Sequence, residues 1–470
     1  MARLFVEIVT VAAAATLGLA TMRSRDRDAG WMAPAALASF FHYVLAAAVL
    51  CGFTWRLLPA GLSLGALSLY HVFPADRRGR GAKAVGILSL AAGFLSLGAV
   101  MAFPARDLDK PSGRFAVGTA SFMVVDEARK GVYLDGPGVP RRFMVQAWYP
   151  AVSPRPDVEP EPWIADEAVP VALADYAGLP AFLLGHLGTV RSNSYRGLRY
   201  AGGAGLAPVV VMSHGWSGSR FLHADLAEEL ASRGIVVLGI DHPYGGQSVT
   251  LVDGTVLPHD PTALPERDQD TRFLQKARAL VGTYAADIET LLRYLRSGSD
   301  PLPVLSGRLD LSRVALAGHS TGGGAAVLAA LRSGGVVGVL GLDAWVEPLG
   351  LEAADGLGIP QLHVGSAQWD GGINERTLAP FLAASKAAGA PVDAFRVRRS
   401  MHGDFTMIGG ITALGSLVGM AGSVGSREFF DVAYGLSADW LEALLTQGPA
   451  AAAWPVKARD TEPLLYRDPE

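Results

Sequence analysis

The stretch Arg313-Val314-Ala315-Leu316-Ala317-Gly318-His319-Ser320-Thr321-Gly322-Gly323-Gly324 limits the possible folds of this chain more than any other. It opens as a short apolar run with strand character. It ends in small residues leading into Ala325-Ala326-Val327-Leu328-Ala329-Ala330-Leu331, a good helix sequence. Between the two lies Gly318-x-Ser320-x-Gly322, the strand–turn–helix setting of a nucleophile elbow. A serine on a tight, strained turn needs neighbours without side chains, so that strand and helix approach closely. It then stands at a helix N-terminus, where the dipole favours developing negative charge. A phosphate-binding Gly-rich turn would carry a Lys-Ser/Thr pair, which is absent here.

The surrounding pattern agrees. Pro208 to Ser213, Gly234 to Asp241, Arg313 to His319, Val336 to Asp343, Pro360 to Gly365 and Val392 to Val397 read as strands. Leu222 to Arg233, Arg272 to Arg296, Ala325 to Arg332, Leu378 to Ala388 and Arg427 to Leu445 read as helices. Such alternation predicts an α/β fold, a mostly parallel sheet with helices on both faces. Before it, Arg114 to Val125, Gly131 to Leu134 and Arg142 to Pro150 alternate like antiparallel strands.

At 470 residues the chain exceeds one ordinary domain. Its mean hydropathy of +0.28 is high for a soluble protein, and residues 1–104 account for much of it. Leu4 to Thr21, Trp31 to Phe53, Leu57 to Phe73 and Ala84 to Phe103 are apolar and separated by short charged loops. They predict about four transmembrane helices rather than a cleaved signal peptide or buried core helices. Arg23, Arg25 and Arg27 lie in one connecting loop and Arg77, Arg78, Arg80 and Lys83 in another. The positive-inside rule puts these loops in the cytoplasm and everything after Pro104 on the outer face. The expected organisation is therefore a membrane region at 1–104, a catalytic domain at 105–447 and a disordered, Pro-rich tail at 448–470. Net charge is −4 with no basic block, which argues against nucleic acid. One cysteine, Cys51, excludes an intrachain disulfide framework and a Cys-based zinc site.

A serine nucleophile needs a base, an orienting carboxylate and oxyanion donors. In this architecture they gather at the C-terminal ends of the strands, in the order Ser, acid, His. His363 lies inside a strand, whereas His402 follows the last one, so His402 is the expected base. Asp343 ends the strand after the elbow helix and Asp370 follows the next strand, and topology alone leaves both open. The oxyanion donors are the backbone N–H of Thr321 and that of Trp216, in the loop Ser213-His214-Gly215-Trp216-Ser217-Gly218. His214 is then a loop-stabilising residue. Neither a cofactor nor a metal is required.

Ser213-His214-Gly215 with Arg220, Gly318-His319-Ser320-x-Gly322-Gly323, Leu342-Asp343-Ala344-Trp345 and His402-x-Asp404-Phe405 together resemble the platelet-activating factor acetylhydrolase family. Trp148-Tyr149-Pro150 and Pro162-Trp163 are also similar to it. The resemblance covers about residues 111–445. It implies an α/β-hydrolase fold and selects Asp343 as the acid. It further implies a calcium-independent serine esterase acting on short or oxidised sn-2 acyl phospholipids, and the apolar N-terminal segments are expected to anchor it in a bacterial inner membrane, with lipid as its partner. Broad carboxylesterases, polyester hydrolases and dienelactone hydrolases have similar folds. A membrane interaction protein using the fold as scaffold is the non-enzymatic alternative. The chain departs from the family in its apolar N-terminal segments and at Asp241-His242-Pro243-Tyr244-Gly245-Gly246. Thr406 to Gly425, Gly-rich and apolar, is expected to form a lid, an interfacial surface or a buried helix.

Overall fold

A computed structural model describes residues 2–23, 31–49, 55–73, 81–201, 205–268, 270–299, 302–459 and 461–467. The chain divides into two compact units. The first is Met1–Arg106 with Gly178–Val190 and Gly410–Leu414; the second is Asp107–Ala177, Arg191–Gly409 and Gly415–Glu470.

In the first unit the four apolar stretches form helices Ala2–Arg23, Met32–Val49, Leu58–Val72 and Ala82–Ala102. Among the described residues, two segments, Arg3–Arg23 and Ala82–Ala102, are long and apolar enough to cross a membrane. Leu58–Val72 has 15 residues, about 22 Å of helix against a hydrocarbon core of about 30 Å. Four full spans is therefore more than helix length supports. Arg25, Arg27, Cys51, Arg77, Arg78 and Arg80 lie outside the described residues. Large apolar side chains such as Phe5, Leu69, Leu88 and Phe94 point outward. Polar groups are held inside. Glu7 pairs with Arg56 at 2.8 Å, Thr21 Oγ1 lies 2.9 Å from His71 Nε2, and Ser89 donates to the Ala14 carbonyl. The unit is not residues 1–104 alone, because the chain returns to it twice. Trp55 Nε1 donates to the Leu183 carbonyl, and Thr412 Oγ1 to that of Ala102.

The second unit is built on a sheet in which ten strands are described. In chain order the strands are β1 (Ala116–Lys130), β2 (Pro140–Ala151), β3 (Ser194–Arg196), β4 (Ala207–Ser213), β5 (Val236–Ile240), β6 (Ser248–Thr250), β7 (Val256–Pro258), β8 (Leu309–His319), β9 (Gly338–Leu342), β10 (Gln361–Ser366), β11 (Val392–Val397) and β12 (Leu465–Arg467). The large sheet runs β12-β11-β10-β9-β8-β4-β5-β2-β1-β3, while β6 and β7 pair separately. From β11 to β5 all neighbours are parallel. β2 is antiparallel to both β1 and β5. The Val-rich β4 and β5 are buried along their whole length, as strands covered on both faces must be. Phe273–Arg296, Thr321–Arg332 and part of Ile373–Ala387 share one buried cluster with the strands. Ala224–Ser232 packs on Gly435–Gln447.

Two expectations need correction. Gly131 to Leu134 is not a strand. Gly131 and Tyr133 take φ of 65° and 54°, which turns the chain between β1 and β2. The tail at 448–470 is not disordered throughout: Pro449–Ala458 is a helix and β12 adds antiparallel to β11.

The strand order reverses between β8 and β4, the switch point where this class of sheet opens a crevice. Ser213 at the end of β4 pairs with Gly318 near the end of β8. His319 pairs with Leu342 at the end of β9, and Ser366 of β10 with Val397 of β11. Register alone thus brings the loops carrying Trp216, Ser320, Asp343 and His402 to one edge.

Candidate active site

Ser320 follows β8 directly and precedes helix Thr321–Arg332, with φ 55° and ψ −122°. For a residue with a side chain this conformation costs about 1–3 kcal/mol. Backbone hydrogen bonds hold it: Ser320 N–H donates to Leu342 O at 3.1 Å, and Ser320 O accepts from Gly324 and Trp345. The flanking glycines are steric necessities. A Cβ on Gly318 would lie 2.2 Å from Gly322 O, and one on Gly322 would lie 2.3 Å from Ser213 O.

Asp343 leaves β9 with φ 45° and is 4 % exposed. Every group on its carboxylate is a donor. Ser366 N–H gives to Oδ1 at 2.7 Å. Oδ2 accepts from Ser366 Oγ at 2.8 Å, His402 Nδ1 at 2.6 Å and Trp369 Nε1. His402 therefore carries its proton on Nδ1, leaving Nε2 as the basic nitrogen. Its ring meets that of Trp369 edge-on and lies 4.4 Å from that of His319, the residue before Ser320. His402 N–H donates to Gln368 Oε1. Asp404 clamps the turn, accepting from Met401 N–H and Gly422 N–H. Burial and the facing His402 keep His319 neutral far below the usual histidine range.

The alternatives lie elsewhere. Asp370 binds Arg396 Nη1 at 2.9 Å and the Tyr466 hydroxyl at 2.7 Å, with its carboxylate half exposed. His363 is packed in β10 with its ring edge-on to Phe381, and burial pushes it down to about 4.

Thr321 is the first residue of its helix, so its N–H has no acceptor within the helix. Trp216 N–H is given to no backbone carbonyl among the described residues. His214 is buried, with Nδ1 2.7 Å from Gly215 O, which agrees with a loop-stabilising role. Trp369, Ser366 and Gln368 escaped the sequence reading; the only signal near them was Asp370. Among the described residues no three His, Cys, Asp or Glu side chains converge as a metal site would require.

This geometry suits acyl transfer, and comparison with known proteins narrows the class. The family model described as "Platelet-activating factor acetylhydrolase, isoform II" matches residues 100–263 and 282–455. The "Platelet-activating factor acetylhydrolase" of Cavia porcellus is 21 % identical over 255 residues, which is 51 % of this chain and 57 % of that protein. The "Putative phospholipase A2" of Schizosaccharomyces pombe is 33 % identical over 148 residues, 30 % of this chain and 33 % of that one. These alignments thus span between a third and somewhat over half of the relatives' length. A ferulic acid esterase from Streptomyces cinnamoneus shares the fold, with TM-score 0.61 and 24 % identity, over 78 % of this chain and all of that one. The second unit thus has an α/β-hydrolase fold, and the chain belongs to the platelet-activating factor acetylhydrolase family, isoform II.

Proposed function

We propose that this protein is a membrane-anchored serine esterase that hydrolyses short or oxidised sn-2 acyl esters of phospholipids. The observation that carries the reading is the Asp343–His402 hydrogen bond of 2.6 Å, set beside a serine held at φ 55° on the switch-point edge of the sheet. In the mechanism, His402 Nε2 takes the proton of Ser320 Oγ as it attacks the ester carbonyl. Asp343 holds the tautomer and stabilises the imidazolium. Trp216 N–H and Thr321 N–H receive the oxyanion. The leaving lysophospholipid takes the proton from His402. Water then attacks the acyl-enzyme with His402 again as base, freeing the acid and Ser320. Chelation leaves the rate unchanged, because calcium has no part in these steps.

The outward apolar side chains of the first unit support an anchor, since a bundle in lipid exposes apolar groups and shields polar ones. If Arg3–Arg23 and Ala82–Ala102 are the crossings, the basic residues between them stay inside and the second unit works on the outer face of the inner membrane. Leu417 and Val418, in the segment following the base, are 81 % and 61 % exposed, which supports an interfacial surface over a buried helix.

The test is hydrolysis of an acyl series from acetyl to palmitoyl, as sn-2 phospholipid and as p-nitrophenyl ester, by wild type and Ser320→Ala. The expected result is a rate highest on short sn-2 phospholipids and lost in the variant. Activity confined to soluble esters would overturn the phospholipid assignment. Equal activity in both proteins would overturn the nucleophile.

A further inference from the structure

Beneath the oxyanion loop lies a second Ser–His–Asp array. Ser213 Oγ is 2.8 Å from His242 Nε2, and His242 Nδ1 is 2.9 Å from Asp287 Oδ2. All three residues are 0 % exposed, so no substrate reaches them. Arg141, also fully buried, grips Asp287 through Nε and Nη2. Tyr284 stacks on the His242 ring at 3.8 Å. The ring and backbone of His242 are thereby fixed.

The consequence runs through the next hydrogen bond. His242 N–H points at His214 Nε2, 3.1 Å away. A backbone N–H only donates, so Nε2 is unprotonated and Nδ1 carries the hydrogen. Nδ1–H then donates to Gly215 O at 2.7 Å, which also accepts from Gly218 N–H at 3.0 Å. Gly215 C=O and Trp216 N–H belong to one planar peptide and point in opposite directions. Two donors on that carbonyl therefore aim the Trp216 N–H away from them.

We propose that His214 is a positioning residue that orients the Trp216 oxyanion donor through its Nδ1–H tautomer, and that the Asp287–His242 pair sets that tautomer. The proposal rests on the esterase reading above. The side-chain amide of asparagine occupies the place of Nδ1 and preserves donation to Gly215 O. That of glutamine occupies the place of Nε2 and does not.

The test uses full-length protein with p-nitrophenyl acetate. His214→Gln is expected to lower kcat about 30-fold, with KM changed less than about threefold. His214→Asn is expected to recover kcat to within about threefold of wild type. A loss of purely structural origin would strike both alike, so equal kcat in two folded variants overturns the proposal. Should neither variant fold, ¹⁵N-histidine NMR of the wild type decides: an Nε2–H tautomer at His214 overturns it and Nδ1–H supports it. Ser320→Ala in the same assay isolates the underlying reading. Activity surviving there removes the oxyanion role, and with it the proposal, while leaving the tautomer result distinguishable.

Discussion

Replacing Asp343 by asparagine tests the site at its most demanding point. The carboxylate receives four donors, one on Oδ1 and three on Oδ2. Asparagine has one oxygen, so its NH₂ must face at least one donor. With the oxygen in the Oδ1 place, NH₂ faces Trp369 Nε1–H and forces His402 to accept on Nδ1. The histidine is then in the wrong tautomer, which costs about 10⁴ in kcat, roughly 5 kcal/mol of barrier. With the oxygen in the Oδ2 place, NH₂ meets the buried Ser366 N–H at the 2.7 Å position. That orphaned donor costs about 1–3 kcal/mol of stability, and the charge opposite the imidazolium is still lost. Either way kcat is expected to fall at least about 10³-fold. Asp370→Asn is the matched control. Its partners are Arg396 and Tyr466, and Arg396 keeps Glu375 at 3.7 Å. Its kcat is expected to stay within about twofold of wild type. The assay is kcat on p-nitrophenyl acetate with Tm on the same samples. More than a tenth of wild-type kcat in Asp343→Asn, or a collapse in Asp370→Asn, would refute the assignment of the acid.

Three further outcomes are expected. Trp369→Phe removes one hydrogen bond to a charged acceptor, worth about 1.5 kcal/mol, so kcat should fall about tenfold; an unchanged kcat would show that the indole only packs. Gly322→Ala puts a Cβ 2.3 Å from Ser213 O and 2.4 Å from His214 O, both backbone atoms. It should cost roughly 3 kcal/mol or more and most of the activity, whereas Gly282→Ala, with open space inside helix Phe273–Arg296, should raise Tm slightly; equal Tm in both would contradict the close approach. The last concerns acid. Burial pushes His223 and His242 down to about 3 and His363 down to about 4, and lowers His214 and His319. The unfolded chain binds these protons near pH 6.5, so stability falls as pH drops below that value, by about 1.4 kcal/mol per unit for each histidine. Asp225, pushed up to about 7 by burial, acts oppositely, as does Glu228. Burial also lowers His186 and His259 and raises Glu289 and Asp404, so seven histidines face four carboxyls and Tm of the detergent-solubilised protein should be lower at pH 5 than at pH 7; a level or rising Tm would refute this balance.

What could be read from the sequence follows the range over which it is encoded. The elbow was legible because its parts adjoin: apolar strand, glycines, serine, helix. His402 was legible because a histidine after the last parallel strand has few other uses than the one a position inside β10 denies to His363. Asp343 against Asp370 was not. Both stand in the loops that follow parallel strands, and the difference lies in a φ of 45° at Asp343 and in the capture of Asp370 by Tyr466 from β12. That strand has three residues in a charged tail, too few to show a period. The four apolar N-terminal stretches were plain from composition. The returns of Gly178–Val190 and Gly410–Leu414 to their unit were not, because short loops carry no pattern naming their partner. The buried array beneath the oxyanion loop is the extreme case. Arg141, His242 and Asp287 come from three separate segments, and only the sheet brings them together. A motif names the atoms that react, whereas the groups that aim them are recruited from wherever the fold happens to pass. For this reason the orientation of Trp216 N–H, rather than the identity of Ser320, is where a sequence reading of this site ends and its physics begins.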